Sequence, residues 1–346
     1  MRIAIDTTPL ESGHKDRGVG TYTKLLIESL QKHESNHSYH FFTRGQKIPN
    51  DIELIHYPYF DPFFVTLPLI YAKSTVITVH DLIPLVFPQH FSSGIRGALK
   101  WHYQRMRLTR VSRIIADSES SKRDIERIVG FPKSRIDVVY LAPSSQYRPV
   151  TSEPLLSAIK TKYKLPEKYI LYIGDVNWNK NIIGLLQAFQ YLKAQIKLVL
   201  AGKAFINNSL AEAKDIQSQI NFLGIRDRVI TPGFISFEDL PALYSLASVY
   251  IQPSHYEGFG LPVLEAMACG TPVVSSRAAS LREIAGPAIA MDPNDSQDIA
   301  RGLLKALTMT PVKRKALIAA QTKWVQQFSW ERVAHQTIES YEKAIS

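Results

Sequence analysis

Glu257 and Glu265 stand eight positions apart in the segment YEGFGLPVLEAMACGTPVVSS, and they are the residues whose spacing most readily does chemistry. Tyr-Glu-Gly-Phe-Gly predicts a loop, Pro262 suits the first turn of a helix over Leu261 to Ala268, and Gly270 stops it. From Gly258 to Ser276 the sole charged residue is Glu265, set in a helix that is apolar nearly all round. Such a helix is buried, and an isolated buried carboxylate is costly unless strong donors meet it. Glu265 therefore reads either as a structural acid bonded to backbone amides or as one held for a ligand hydroxyl pair such as a ribose. Glu257, just before the helix, reads as an acid settled at a positive helix end, worth about 0.3–1 kcal/mol. Alternatively the two carboxylates address successive parts of one elongated ligand, with the helix N-terminus between them facing its phosphates.

Other candidates are weaker singly. In YIGDVNWNKNIIGLLQAF, Lys180 falls where a helix begins, a mildly unfavourable place for a cation that an anion would relieve; alone it reads as a solvent-exposed lysine. Gly18-Val19-Gly20 is expected to precede a helix over Tyr22 to Leu30 and to let a ligand approach the backbone, but Thr23 breaks the full dinucleotide fingerprint. His80 ends the run ITVH at the carboxyl edge of a strand, where a lone histidine is more often a structural partner than a catalyst. No two aspartates lie two positions apart, so no D-x-D metal motif is present, and a diphosphate would be met by Lys180, other cations and helix ends.

The elements that must position these residues alternate short Ile/Val/Tyr runs with helix-period segments along all 346 residues, the pattern of parallel sheets covered on both faces. Strands are predicted at Ile3–Asp6, Tyr39–Phe42, Leu54–Tyr57, Val76–His80, Arg113–Ala116 and Asp137–Leu141, then at Tyr169–Gly174, Lys197–Gly202, Val229–Thr231, Val249–Gln252, Pro272–Ser275 and Ala288–Met291. The class is α/β, with two Rossmann-like halves joined in the Pro/Ser/Thr-rich stretch Ala142–Pro154. Cys269 is the single cysteine, which excludes an intrachain disulfide and a cysteine-based zinc cage. The N-terminus lacks a signal-peptide pattern and no stretch approaches the roughly 20 apolar residues of a bilayer span, so a cytoplasmic protein is expected. A net charge of +10 predicts an anionic partner. Its distribution narrows this: no acidic residue lies between Asp81 and Asp117, while Arg96, Lys100, Arg107 and Arg110 are expected to share one helix face near the aromatic loop Tyr57–Phe64. That face reads either as solvated surface or as a peripheral dock on the anionic inner face of a membrane.

The segment Glu257-GFGLPVL-Glu265 followed by AMACGTPVV resembles the E-x7-E signature of the retaining family 4, or group 1, glycosyltransferases. The resemblance extends through Tyr172–Phe189, Leu198–Gly202, Val229–Ser254, Val79–Pro84 and Ile114–Ile125, in the family's order. It implies a GT-B fold, two Rossmann-like domains facing each other across a deep cleft. Residues 1–148 would be the acceptor-side domain, 149–330 the nucleotide-sugar domain, and about 331–346 a helix packing back on the first. In the implied site Glu265 accepts from the ribose hydroxyls, Glu257 contacts the transferred sugar, Lys180 stabilises the leaving diphosphate and His80 touches the donor sugar. Gly18 and Gly20 admit the donor to the first domain's backbone, and Gly174, Gly202, Phe234, Gly258, Phe259, Gly260 and Leu261 complete the donor pocket.

The implied reaction is metal-independent front-face substitution, the donor's own phosphate serving as base, with no tightly bound cofactor. GDP-mannose is the favoured donor by resemblance to mannosyltransferases with a similar lysine-to-helix segment, and a UDP-hexose comes next. A saccharide or lipid-linked saccharide of surface polysaccharide or glycan biosynthesis is the expected acceptor, and no nucleic acid is expected. Asp175 stands where many relatives carry an Arg, and Asn179 precedes Lys180 in place of a basic residue, leaving the phosphate clamp short of a cation. A nucleotide-sugar epimerase, or a basic scaffold with a vestigial site, are the rival readings.

Overall fold

The computed structural model describes residues 1–11, 13, 18–207 and 209–346. The chain forms two compact units, Met1–Ala142 with Phe328–Ser346, and Pro143–Gln327. Each contains a parallel sheet whose central strands are apolar and buried on both faces, while its edge strands are partly exposed.

In the first unit β1 (Arg2–Asp6), β2 (Ser38–Phe42), β3 (Leu54–Tyr57), β4 (Ser74–Val79), β5 (Arg113–Ala116) and β6 (Ile136–Val138) form a six-stranded sheet in the order β2-β1-β3-β4-β5-β6. Its long helices are α1 (Gly18–His33) and α2 (Gly94–Leu108). The second sheet comprises β7 (Tyr169–Ile173), β8 (Lys197–Ala201), β9 (Val229–Gly233), β10 (Val249–Gln252), β11 (Val273–Ser276) and β12 (Ile289–Met291), ordered β12-β11-β10-β7-β8-β9. Helices α3 (Ile182–Phe189) and α4 (Leu261–Ala268) follow β7 and β10. The last helix, α5 (Trp330–Ile345), belongs to the first unit and packs on α1 and on β3 to β5.

A buried polar relay fastens α5. Tyr341 Oη pairs with His56 Nδ1 at 2.6 Å, His56 Nε2 with Thr78 Oγ1 at 2.9 Å, and Thr78 Oγ1 with Tyr22 Oη at 3.0 Å. Burial, assisted by nearby His80, pushes the His56 pKa down to about 3, so the imidazole is neutral and serves as a connector. Ser29 Oγ donates to the Trp330 carbonyl at 2.6 Å, and Ser340 Oγ to Asp137 at 2.8 Å.

Several sequence expectations shift for physical reasons. The sixth strand stops at Val138 because its neighbour β5 ends at Ala116 and offers no partner beyond the Val139 amide bond to that carbonyl. The units divide at 142/143, not 148/149, because the linker is tied to the second unit: Gln146 Nε2 donates to the Phe237 carbonyl and the Val150 amide to Ser245 Oγ. Gly18 and Gly20 lie inside the first turn of α1 rather than ahead of the helix. Arg107 leaves the expected basic face: it is buried, its Nε donates to the Pro68 carbonyl at 2.8 Å, and its guanidinium covers the Tyr71 ring.

Tyr341→Phe leaves the buried His56 Nδ1 without its partner and should cost about 1–3 kcal/mol, read by chemical denaturation; unchanged stability would show that the relay does not fasten α5.

Candidate functional site

In the second sheet β7 and β10 are neighbours although β8 and β9 lie beyond β7 on its other side. This is the point where strand order reverses, and loops leaving adjacent carboxyl ends there diverge to leave a crevice. The loop after β7 carries Lys180; the loop after β10 carries Glu257 and leads into α4.

The structure brings these two residues together. Lys180 Nζ donates to Glu257 Oε1 at 2.9 Å and to Oε2 at 2.7 Å. Gln252 Nε2 and Ser254 Oγ donate to Oε1 at 2.9 and 2.7 Å, and the Glu257 side chain is 8% exposed. Glu257 is thus a desolvated carboxylate met by four hydrogen bonds, the condition under which a buried charge is tolerated. An ammonium has three donors, and two of those on Lys180 point at Glu257.

Residues not singled out as ligands in the sequence enforce this geometry. Asn179 is buried; its Nδ2 donates to the Tyr256 carbonyl at 2.9 Å, and its own carbonyl accepts from the His255 amide at 2.8 Å. Asn181 caps α3 by accepting from the Gly184 amide while its Nδ2 donates to the carbonyls of Pro253 and Pro293. The left-handed φ of 55° at Asn181 is tolerated by this residue type. The lysine is therefore bracketed by two amides that staple its loop to the glutamate loop, and the missing basic residue at 179 has a cause: the site is a buried hydrogen-bonding position. Trp178 stacks on His255 with centroids 5.0 Å apart, closing the same seam. Asp175 is exposed, its carboxylate accepting from the Val176 amide at 2.8 Å.

Beyond Glu257, Ser280 Oγ donates to the carbonyls of Glu257 and Phe259 at 2.9 and 2.8 Å, fixing the glycine-rich turn. Gly258 and Phe259 are buried, Phe259 facing the core, and Leu261 is half-buried. Gly260 adopts φ +107°, and a Cβ there would sit 2.7 Å from Leu281 Cδ2, so the turn needs glycine. No side chain caps the start of α4, which leaves its positive end to face an anion. One helical turn further, Glu265 is half-buried; Tyr244 Oη donates to it at 2.8 Å and Tyr147 also bonds to it. Burial pushes its pKa up to about 7, the two tyrosine donors opposing the rise.

Gly174 and Gly202 end β7 and β8, and a Cβ on Gly202 would lie 2.2 Å from the Gly174 carbonyl oxygen, so close approach of these ends demands glycine. Phe234 is 49% exposed, with Lys203 Nζ 4.4 Å from its ring centroid. Gly18, Gly20 and His80 belong to the first unit. His80 Nδ1 pairs with Asp117 Oδ2 at 2.7 Å and Nε2 with the Pro58 carbonyl at 3.1 Å. A carbonyl only accepts, so Nε2 carries a proton, and the pair His80–Asp117 shares a further one. Burial alone lowers the His80 pKa, but the Asp117 carboxylate outweighs it and the net shift is upward. Among the described residues no group of three His, Cys, Asp or Glu forms a metal site, and no helix is long and apolar enough to cross a membrane.

Solved structures place the architecture. Sucrose-phosphate synthase from Thermosynechococcus elongatus superposes with a TM-score of 0.78 at 21% identity, covering 99% of this chain and 98% of that one. Anabaena HepE, solved with UDP-glucose, gives 0.74 at 20% identity over 99% of both chains. The fold is that of the GT-B glycosyltransferases.

The chain belongs to the group 1 glycosyltransferases: residues 157–324 match the family described as "Glycosyl transferases group 1", and residues 46–142 match "Glycosyltransferase Family 4". The O-antigen chain mannosyltransferase B of Escherichia coli is 36% identical over 277 residues, 78% of this chain and 70% of the relative. The serotype-specific mannosyltransferase WbdA of Escherichia coli is 31% identical over 295 residues, 82% of this chain but 35% of that longer protein. The protein is therefore a glycosyltransferase.

A carboxyl whose pKa is raised on folding favours the folded state while protonated. For Glu265 this contribution is complete below the ordinary carboxyl value of 4.5 and is lost as pH rises to about 7. Stability should fall by at most about 3 kcal/mol across that window, and Glu265→Gln should flatten this part of the profile in denaturation measured from acid to neutral pH. An unaltered slope in the variant would place the titration elsewhere.

Proposed function

We propose that the protein transfers mannose from GDP-mannose to a saccharide or lipid-linked saccharide acceptor, with retention of anomeric configuration and without a metal, in the building of a surface polysaccharide. The observation that carries the reading is the Glu265 carboxylate in its tyrosine pocket, one short helix away from the Lys180–Glu257 pair, with an uncapped helix start between them. The spacing suits a nucleotide sugar laid along α4: ribose hydroxyls on Glu265, diphosphate over the helix start and Lys180, sugar hydroxyls toward Glu257. Gly174, Gly202, Phe234, Gly258, Phe259, Gly260 and Leu261 complete the second unit's part of the donor pocket on this reading.

Lys180 acts electrostatically. Charge grows on the departing phosphate oxygen as the bond from sugar C1 breaks, and a fixed ammonium there stabilises the transition state more than the ground state. The acceptor hydroxyl attacks C1 from the face the phosphate leaves, and its proton passes to that phosphate oxygen, so no side chain serves as base. The names of the Escherichia coli relatives support mannose as the sugar.

Across a panel of GDP- and UDP-sugars, GDP-mannose should be turned over fastest, and nuclear magnetic resonance of the product should show the donor's α-configuration kept. Turnover of UDP-hexoses alone would overturn the donor assignment, and a β-linked product would overturn retention.

A further inference from the structure

The first unit carries a surface that neither its core nor the proposed reaction uses. Two buried polar side chains of α2 grip the loop that runs from residue 61 to 71. Gln104 Nε2 meets the carbonyls of Asp61 and Phe64 and the Thr66 hydroxyl at 2.9, 2.8 and 2.7 Å. Arg107 holds the Pro68 carbonyl from the same helix. The loop's one carboxylate, Asp61, is spent on the Tyr59 hydroxyl and the amides of Phe63 and Phe64. A loop pinned through its backbone leaves its apolar tips outside: Phe64, Leu69 and Ile70 are 66%, 71% and 81% exposed.

The same helix adds to this patch. Ile95, Leu99 and Met106 are 83%, 68% and 47% exposed, and at about 100° per residue they occupy a sector of roughly 40°. Arg96 and Lys100 flank that sector on one side and Arg105 on the other, all exposed. Lys100 Nζ lies 5.2 Å from the Phe64 ring centroid, joining helix and loop in one surface. Arg44 adds a further cation where an open groove of about 440 Å³ runs beside Val65 and Leu69.

Soluble surfaces rarely leave so many large apolar side chains bare without a partner. An exposed apolar stripe edged by Lys and Arg is the arrangement of a helix lying in a bilayer interface. With no acidic residue between Asp81 and Asp117, a second copy docking through the same patch would bring like charges face to face, whereas anionic headgroups complement it. We propose that loop 63–70 and the exposed face of α2 dock the protein on an anionic bilayer surface, the apolar tips entering the headgroup layer and Arg96, Lys100 and Arg110 meeting lipid phosphates. The assignment stands apart from the identity of donor and acceptor.

Co-flotation with phosphatidylcholine vesicles and with mixed phosphatidylcholine–phosphatidylglycerol vesicles, without substrates, tests it. The protein should float with the mixed vesicles only, and added salt should weaken the association. Arg96→Gln with Lys100→Gln should weaken it roughly 30-fold, and Ile95→Ser with Leu99→Ser by at least about tenfold. Both variants should melt as the parent does, since the substituted side chains are exposed. Equal binding to the two vesicle types, binding to neither, or binding that both variants leave intact would overturn the proposal. So would a dimer in sedimentation that Leu99→Ser dissociates, which would give the patch to a second copy of the chain.

Discussion

The second unit is organised around one buried ion pair. Glu257 and Lys180 lie 77 positions apart in sequence, yet the ammonium and carboxylate meet at 2.7 Å with the carboxylate almost wholly out of water. Burying a charge in this way is expensive, and removing one partner leaves the other uncompensated at a cost of about 3–5 kcal/mol. The surrounding residues answer that cost. Gln252 and Ser254 donate to the same carboxylate, Asn179 and Asn181 lock the lysine loop to the glutamate loop, and Ser280 fixes the turn behind it. A polar network this complete specifies one arrangement of the two loops, because every partial version leaves a buried group unsatisfied.

On the proposed reading, the pair and Glu265 divide a ligand between two kinds of electrostatics. At Glu257 strong donors hold the charge in place, so its partner lysine is fixed before any ligand arrives and pays no reorganisation when charge develops next to it. At Glu265 only tyrosine hydroxyls oppose desolvation, and the carboxyl titrates near neutrality. Two acids in one short segment thus have opposite characters because their immediate donors differ. On the proposed reading, the first serves the reacting end of the donor and the second grips its ribose.

Much of this was legible in the sequence. The twelve Val/Ile/Tyr-rich runs became the twelve strands of the two parallel sheets, since parallel strands buried on both faces leave an unmistakable apolar pattern. Pro262 and Gly270 bounded α4 correctly, as residues with fixed backbone preferences do. The lone charge at Glu265 marked itself through the apolar residues around it. What stayed hidden depends on partners distant in sequence. Lys180 read as a solvent-exposed lysine because nothing local announces Glu257, and Asn179 read as a missing cation because its bond to the Tyr256 carbonyl is a tertiary fact. Arg107 joined a surface stripe by periodicity, although the Pro68 carbonyl and Tyr71 ring draw it inward. For His80 the sequence offers a strand end alone; its partner Asp117 follows the neighbouring strand, and only the pairing of β4 with β5 puts both at the same edge.

The central claim is that Lys180 and Glu257 work as one unit, and a double-mutant cycle on donor turnover tests it most directly. With Lys180→Ala and Glu257→Gln each costing roughly 10²–10³-fold in turnover, the account predicts that the double variant falls no further than the worse single one, because either change already dismantles the pair. Losses that multiply in the double variant, or a Glu257→Gln enzyme with parental turnover, would contradict it.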